Sequence, residues 1–232
     1  RGVRSSIYHS EVSGLSMLNF RMKTKEIANI IVIVYISLIA LETILLKIFG
    51  MNWFDAVCHS FATVATGGFS TKNTSVAYFN NISIEIIIMF FMLISSMHFG
   101  LIYNTIRGRK LNIFTSSVVR SYVIVMFIGI LLVAGQLTFE KVYSSGESLR
   151  YAAFQVISLG TTTGFAIVDT PNWPIFAILI QMYFTIQCGM VGSTSGGLKF
   201  DRIYLFFKSL IKQIRLTKHP QGIYAIKVDG TL

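Results

Sequence analysis

Three stretches bring glycine and hydroxyl side chains close enough together to do chemistry: Thr63-Val-Ala-Thr-Gly-Gly-Phe69, Thr161-Thr-Thr-Gly-Phe165 and Gly189-Met-Val-Gly-Ser-Thr-Ser-Gly-Gly-Leu-Lys199. Glycine permits dihedrals that turn successive carbonyls to one side, and a ring of carbonyl oxygens can replace the hydration shell of a monovalent cation. The third stretch also approaches the phosphate-cradling pattern G-x-x-x-x-G-K-[ST]. The match fails at Leu198, where lysine should follow glycine, and at Phe200, which replaces the magnesium-binding hydroxyl. A nucleotide-binding membrane protein using residues 192–199 stays open as an alternative.

Other reactive residues form no constellation. Cys58 and Cys188 lie 130 positions apart in apolar surroundings and read as packing residues. His9, His59, His98 and His219 have no metal-ligand spacing, and no Ser/His/Asp or Cys/His arrangement or carboxylate pair stands out. Neither an enzyme nor a cofactor is expected.

The elements that hold the three stretches are membrane elements. Of 232 residues 53% are hydrophobic and only 13% charged, about half the charge of an ordinary soluble domain. The mean hydropathy is +0.64. Residues 26–48, 84–106 and 117–139 are each apolar for the roughly 20 residues that a spanning helix needs, and each is expected to cross the bilayer once. Shorter helices over 52–65 and 147–160 cannot span, and both run into a Thr/Gly element. The order helix, short re-entrant helix, Thr/Gly loop, helix thus occurs twice, with Gly67 and Gly164 paired 97 residues apart. Duplicated units of this kind are common in transporters. One isolated T-x-T-G element would read as an ordinary turn between spans, but the duplication favours ion coordination.

A net charge of +10 would suggest nucleic acid in a soluble chain. Here sixteen of twenty Lys and Arg fall in 1–25, 107–120 and 199–227, the bias expected of segments on the cytoplasmic side. No nucleic-acid partner is expected, and both Thr/Gly loops would face outward. From Pro174 the last helix runs fourteen residues to Gln187, about 21 Å, short of a hydrocarbon core of roughly 30 Å. The glycine run should therefore break a helix (174–214) at membrane depth, as a loop over 188–198, with helix resuming at Leu198. Such breaks mark substrate pathways, although a passive break that lets helices pack closely and simple snorkelling of Lys199 are alternatives. Glu42 sits inside the first span and is read as paired with a neighbouring repeat. Asp55, Glu85, Glu140, Glu147 and Asp169 are read as outer acidic residues that would concentrate cations. Arg1 in place of methionine suggests part of a longer chain.

In this order, the two Thr/Gly elements followed by Cys-Gly-Met-Val-Gly-Ser-Thr-Ser-Gly-Gly-Leu-Lys resemble the membrane pore subunit of the Trk/Ktr/HKT superfamily of potassium transporters, in particular its bacterial Trk type. The resemblance covers nearly the whole chain. It implies an all-α polytopic membrane protein of repeated helix–re-entrant pore loop–helix units, as in potassium channels, with this chain holding the second and third of four. The units would be a cytoplasmic segment 1–25, pore repeats 26–110 (filter 65–69) and 111–219 (filter 161–165), and a cytoplasmic linker 220–232. The implied filter is Ala65, Thr66, Gly67 and Gly68 with Thr162, Thr163, Gly164 and Phe165, binding potassium through backbone carbonyls. The implied gate, closing the inner pore until it moves, is Gly189, Gly192, Ser193, Thr194, Ser195, Gly196 and Gly197, with Lys199 as an electrostatic barrier. The resemblance further implies potassium uptake across the inner (plasma) membrane, a homodimer in the bilayer and a cytosolic nucleotide-binding regulatory subunit, for which the basic segment 208–218 would be a docking surface. Sodium or mixed monovalent cation transport, and a non-conducting scaffold, stay open.

Overall fold

The computed structural model describes residues 24–108 and 112–218. His9, His219 and nearly all of the segments 1–25 and 220–232 lie outside the described residues.

The fold is helical. Helix α1 (Thr24–Ile48) is followed by the short α2 (Trp53–Val64). A 3-10 turn (Ser75–Phe79) then leads to α3 (Ile82–Ser95) and α4 (Phe99–Ile106). The second unit is α5 (Ser117–Phe139), α6 (Ser145–Gly160), α7 (Ile175–Ile186) and α8 (Phe200–Lys218). Two-residue strands β1 (Gln187–Cys188) and β2 (Leu198–Lys199) pair in parallel and close the neck of the loop between α7 and α8. Among the described residues two helices, α1 and α5, are long and apolar enough to cross a membrane, and α3 with α4 adds a third if counted as one bent span.

Local chemistry sets the ends of the short helices. Asn52 caps α2, its Oδ1 accepting from the Asp55 N–H at 2.7 Å. Ser144 and Glu147 form a reciprocal capping box on α6. Twelve and sixteen residues give lengths of about 18 and 24 Å, too short for the hydrocarbon core. Both helices are re-entrant.

The 84–106 stretch is not one continuous crossing. It breaks after Ser95 and turns by 103°. The Met97 N–H closes a tight turn on the Ile94 carbonyl at 3.0 Å, and His98 starts α4 by accepting the Gly100 N–H on Nδ1 at 2.9 Å. Every residue around the turn remains compatible with a bilayer, so hydropathy registers nothing there. The outgoing helix of each unit is therefore broken, a symmetry the glycine run announces only in the second. In that second unit the helix restarts at Phe200, two residues later than the expected Leu198, because Leu198 and Lys199 are held in the strand pair.

Packing joins the units. Ile30, Val34 and Leu38 of α1 meet Val64, Phe91, Phe99 and Ile102 in one apolar cluster. A larger cluster centres on Tyr122, Met126, Phe154, Phe165 and Phe184. Phe184 seats against Gly129 and Gly160, where an added Cβ would stand 2.2 and 3.1 Å from its ring. On the side read as outer, Glu85 of α3 accepts two hydrogen bonds from Arg150 of α6, at 2.7 and 2.5 Å. The Glu85 side chain is 2% exposed.

Removing one partner of a buried ion pair typically costs about 3–5 kcal/mol, because the other charge is left uncompensated. Arg150→Leu in the full-length protein is expected to lower the thermal unfolding midpoint measured in detergent. Glu85→Leu/Arg150→Leu should recover most of that loss; a double variant as unstable as the single one would contradict a role for the pair in joining the units.

Candidate functional site

Both Thr/Gly loops begin where a re-entrant helix runs out. After α2 the N–H groups of Thr66, Gly67 and Gly68 bond back to the carbonyls of Thr63, Ala62 and Ala62. After α6 those of Thr162, Thr163 and Gly164 bond to Leu159, Ser158 and Ser158. These match residue for residue at an offset of 96, and the backbone agrees: φ is +51° at Thr66 and +65° at Gly68, +58° at Thr162 and +88° at Gly164. Gly68 is thus the equivalent of Gly164, and Gly67 that of Thr163. The pairing of Gly67 with Gly164 at 97 residues is off by one, because it aligned each element on its first glycine instead of on the shared Gly-Phe.

In the corrected register Thr66, Gly67 and Gly68 align with Thr162, Thr163 and Gly164, each loop with left-handed φ at its first and third positions and not at its second. None of these six carbonyls accepts a hydrogen bond from a described residue. The outer members of the expected set differ. The Ala65 carbonyl accepts the Thr66 hydroxyl at 2.7 Å, and that of Phe165 accepts the Ser158 hydroxyl at 2.6 Å. Phe165 itself is buried, whereas its equivalent Phe69 is 82% exposed.

The loops touch each other. A Cβ on Gly68 would lie 2.0 Å from the Thr163 carbonyl oxygen. Behind them the Ala77 N–H donates to Ala166 O at 3.3 Å, and the Ala166 N–H to Ser75 Oγ at 3.2 Å. His59, given no role by spacing, is part of this backing. Its Nδ1 donates to the Asp55 carbonyl at 2.7 Å, its Nε2 pairs with the Ser70 hydroxyl at 2.9 Å, and its ring stacks on Phe165 at 5.7 Å. No spacing in the sequence signals it, since Phe79 and Phe165 stand 20 and 106 positions away.

Two of the acidic residues read as concentrating cations at the outer side are instead tied to partners. Asp55 accepts the Thr71 hydroxyl at 2.5 Å and pairs with Lys72 at 3.3 Å. Burial raises the Asp55 pKa, but hydrogen bonds from Thr71, Lys72 and Asn52 and the Lys72 charge outweigh it and hold the carboxyl below its ordinary 3.8. The tie therefore persists at neutral pH and is lost only as pH falls below that range. Glu85 is the partner of Arg150 described above. Glu42, read as paired with a neighbouring repeat, is fully buried within this chain beside Thr63, with no cationic partner among the described residues.

The glycine-rich loop lies against the bend between α3 and α4. The Met190 N–H donates to Ser96 O at 2.8 Å, the Thr194 hydroxyl to Ser95 O at 3.2 Å, and the Phe99 N–H to Gly192 O at 3.1 Å. Tyr122, fully buried on α5, places its hydroxyl 3.1 Å from both Ser96 Oγ and Gly160 O. Inside the loop Ser193 and Ser195 share a 2.8 Å hydrogen bond, and the Val191 N–H donates to Asp201 at 2.7 Å. The Lys199 ammonium donates to the Ser195 carbonyl. The charge expected to act as a barrier is thus held on the loop's own backbone. The glycines with no room are Gly189, where a Cβ would stand 2.5 Å from Ser96 O, and Gly192, 2.9 Å from the His98 ring. Gly196 has open space, and Gly197 is required by its φ of +106°. Among the described residues no group of three or more His, Cys, Asp or Glu could hold a metal ion.

Comparison with known proteins agrees with this architecture. A family model described as TrkH, cation transport protein, matches residues 5–232. The Trk system potassium uptake protein TrkH of Escherichia coli K12 is 36% identical over 227 residues, 97% of this chain and 47% of that protein. The protein of the same name from Halomonas elongata is 32% identical over 96% of this chain and 47% of its own length. The crystal structure of the potassium transporter TrkH from Vibrio parahaemolyticus superposes with a TM-score of 0.83 at 29% identity, covering 91% of this chain and 46% of that one. The chain spans about half the length of the relatives it matches.

Loop-on-loop contact makes the glycines unequal. Gly68→Ala should lower the thermal unfolding midpoint of the full-length protein by about 5 °C or more. Gly67→Ala, whose nearest contact is 3.4 Å, should lower it by less than about 2 °C. Equal shifts would contradict the contact between Gly68 and Thr163.

Proposed function

The chain belongs to the TrkH family of cation transport proteins, integral membrane transporters and not enzymes, and from that premise we propose that it forms half of a pore that takes up potassium. Residues 26–110 and 111–219 would be two adjoining pore repeats. One observation carries the reading: two loops of different sequence end their short helices in the same left-handed, ordinary, left-handed backbone, and abut through Gly68 and Thr163. Backbone of that kind survives at membrane depth only where it is buried in protein or lines an aqueous path. Thr66, Gly67 and Gly68 with Thr162, Thr163 and Gly164 would supply carbonyls to a dehydrated cation. Two further loops, from the same polypeptide or from a second copy, would complete the ring.

Residues 188–198, held beneath the second loop by the bend of the first unit, would form the barrier that moves when ions pass. The nucleotide-binding alternative finds little support there. The N–H groups of Met190, Val191 and Gly196 already have acceptors, and the Lys199 ammonium is turned onto the loop's own backbone. Sodium or mixed cation transport is the second reading of the same loops, since selectivity depends on all four. A homodimer and a cytosolic nucleotide-binding regulator, docked on the basic face of α8 near Lys212 and Arg215, complete the proposal.

Rubidium uptake into vesicles carrying the full-length protein tests it, with and without competing sodium. Wild-type protein should take up rubidium. Gly67→Ser, at a position with room for a side chain, should abolish uptake or make it sodium-sensitive. Absence of uptake by the wild type, even with its cytosolic partner supplied, would overturn the transport reading in favour of a scaffold.

A further inference from the structure

Thr66 and Thr162 occupy equivalent places, share a left-handed φ and end equivalent helices, yet their hydroxyls do different things. The Thr66 hydroxyl turns back on the Ala65 carbonyl at 2.7 Å. The Thr162 hydroxyl accepts the N–H of Gly196, 34 residues further on, at 3.1 Å. The difference follows from what lies beneath each loop. Under the first unit the outgoing helix breaks in a three-residue turn, Ser96 to His98, too short to reach up. Under the second it breaks in a thirteen-residue excursion, 187–199, whose far side is anchored to the first unit through Ser95, Ser96 and Phe99.

Packing does not hold the loop at Gly196. The residue is exposed, and a Cβ there would meet nothing within 4 Å. Its contact with the Thr/Gly loop is therefore a directional polar one, formed or broken as a unit. Threonine in the left-handed region is uncommon, so a bond to its side chain also bears on whether the Thr162 backbone keeps that conformation.

We propose that the Thr162 hydroxyl is a positioning group that latches the glycine-rich loop to the second carbonyl-bearing loop, so that displacement of the one and the backbone of the other change together. This rests on the reading of 162–164 as filter and 188–198 as gate. Coupling of this kind is reciprocal: a cation that stabilises the Thr162 backbone must also stabilise the loop at Gly196.

The test is amide hydrogen exchange of peptides covering 190–198 in the full-length protein in detergent, in potassium or choline buffer. Thr162→Val should speed exchange of this segment about five-fold, the equivalent of one lost hydrogen bond. Thr162→Ser should restore wild-type exchange, and Thr66→Val should leave the segment unchanged. Potassium in place of choline should slow exchange of 190–198 in the wild type and not in Thr162→Val. Should Thr162→Val fail to fold, judged by exchange in α5, Gly196→Pro removes the donor instead and carries the same expectation. Equal effects of Thr162→Val and Thr66→Val, no effect of either, or a potassium response that survives Thr162→Val would overturn the latch. Wild-type vesicles without rubidium uptake would remove the transport reading alone, while the exchange comparison still decides the latch.

Discussion

Backbone within the hydrocarbon of a bilayer has no water to bond to, so each N–H and C=O released by a broken helix must be met by another part of the protein. This chain breaks two helices, and the breaks satisfy each other. Ser95 and Ser96 at the end of α3 offer carbonyls to the Thr194 hydroxyl and the Met190 N–H, and Gly192 offers its carbonyl to Phe99 at the start of α4. The small residues of the glycine-rich loop follow from this closeness: at Gly189 and Gly192 the bend of the first unit already occupies the space of a side chain.

The same mutual dependence holds between the two loops that follow the re-entrant helices. The two Thr/Gly loops lean on one another, Gly68 against Thr163, and share hydrogen bonds between the 3-10 turn and Ala166. His59 and Phe165 fill the space behind them, and the Glu85–Arg150 pair fixes α6 to α3. Tyr122 sits between the two levels, its hydroxyl facing both the bend at Ser96 and the last turn of α6 at Gly160. A rigid scaffold therefore surrounds backbone that is locally unusual, the arrangement expected where strained conformations serve a function.

Much of this was legible in residue types. Apolar length identified two of the three expected spans as continuous helices, helix length the segments too short to cross, and the repeated Thr/Gly elements the duplication. The misreadings have specific causes. The bend at Ser96 was missed because a serine pair and a histidine in an apolar run do not alter hydropathy. The repeat register slipped by one because Thr66-Gly67-Gly68 offers two glycines for the single Gly164, and only the positive φ at Gly68 and Gly164 decides between them. That Asp55 and Glu85 are paired and not free to concentrate cations is not legible in the sequence, because their partners, Lys72 and Arg150, stand 17 and 65 positions away.

Taken alone, the amino-acid order determined a duplicated, all-helical membrane protein with two carbonyl-rich loops and a helix interrupted by glycine. Those properties depend on composition, period and length, which are local. Which glycines are indispensable, which hydroxyl meets which amide and how one broken helix supports the other were decided by the tertiary structure. They depend on distances of a few ångströms between segments far apart in the chain, and no spacing in the sequence encodes those.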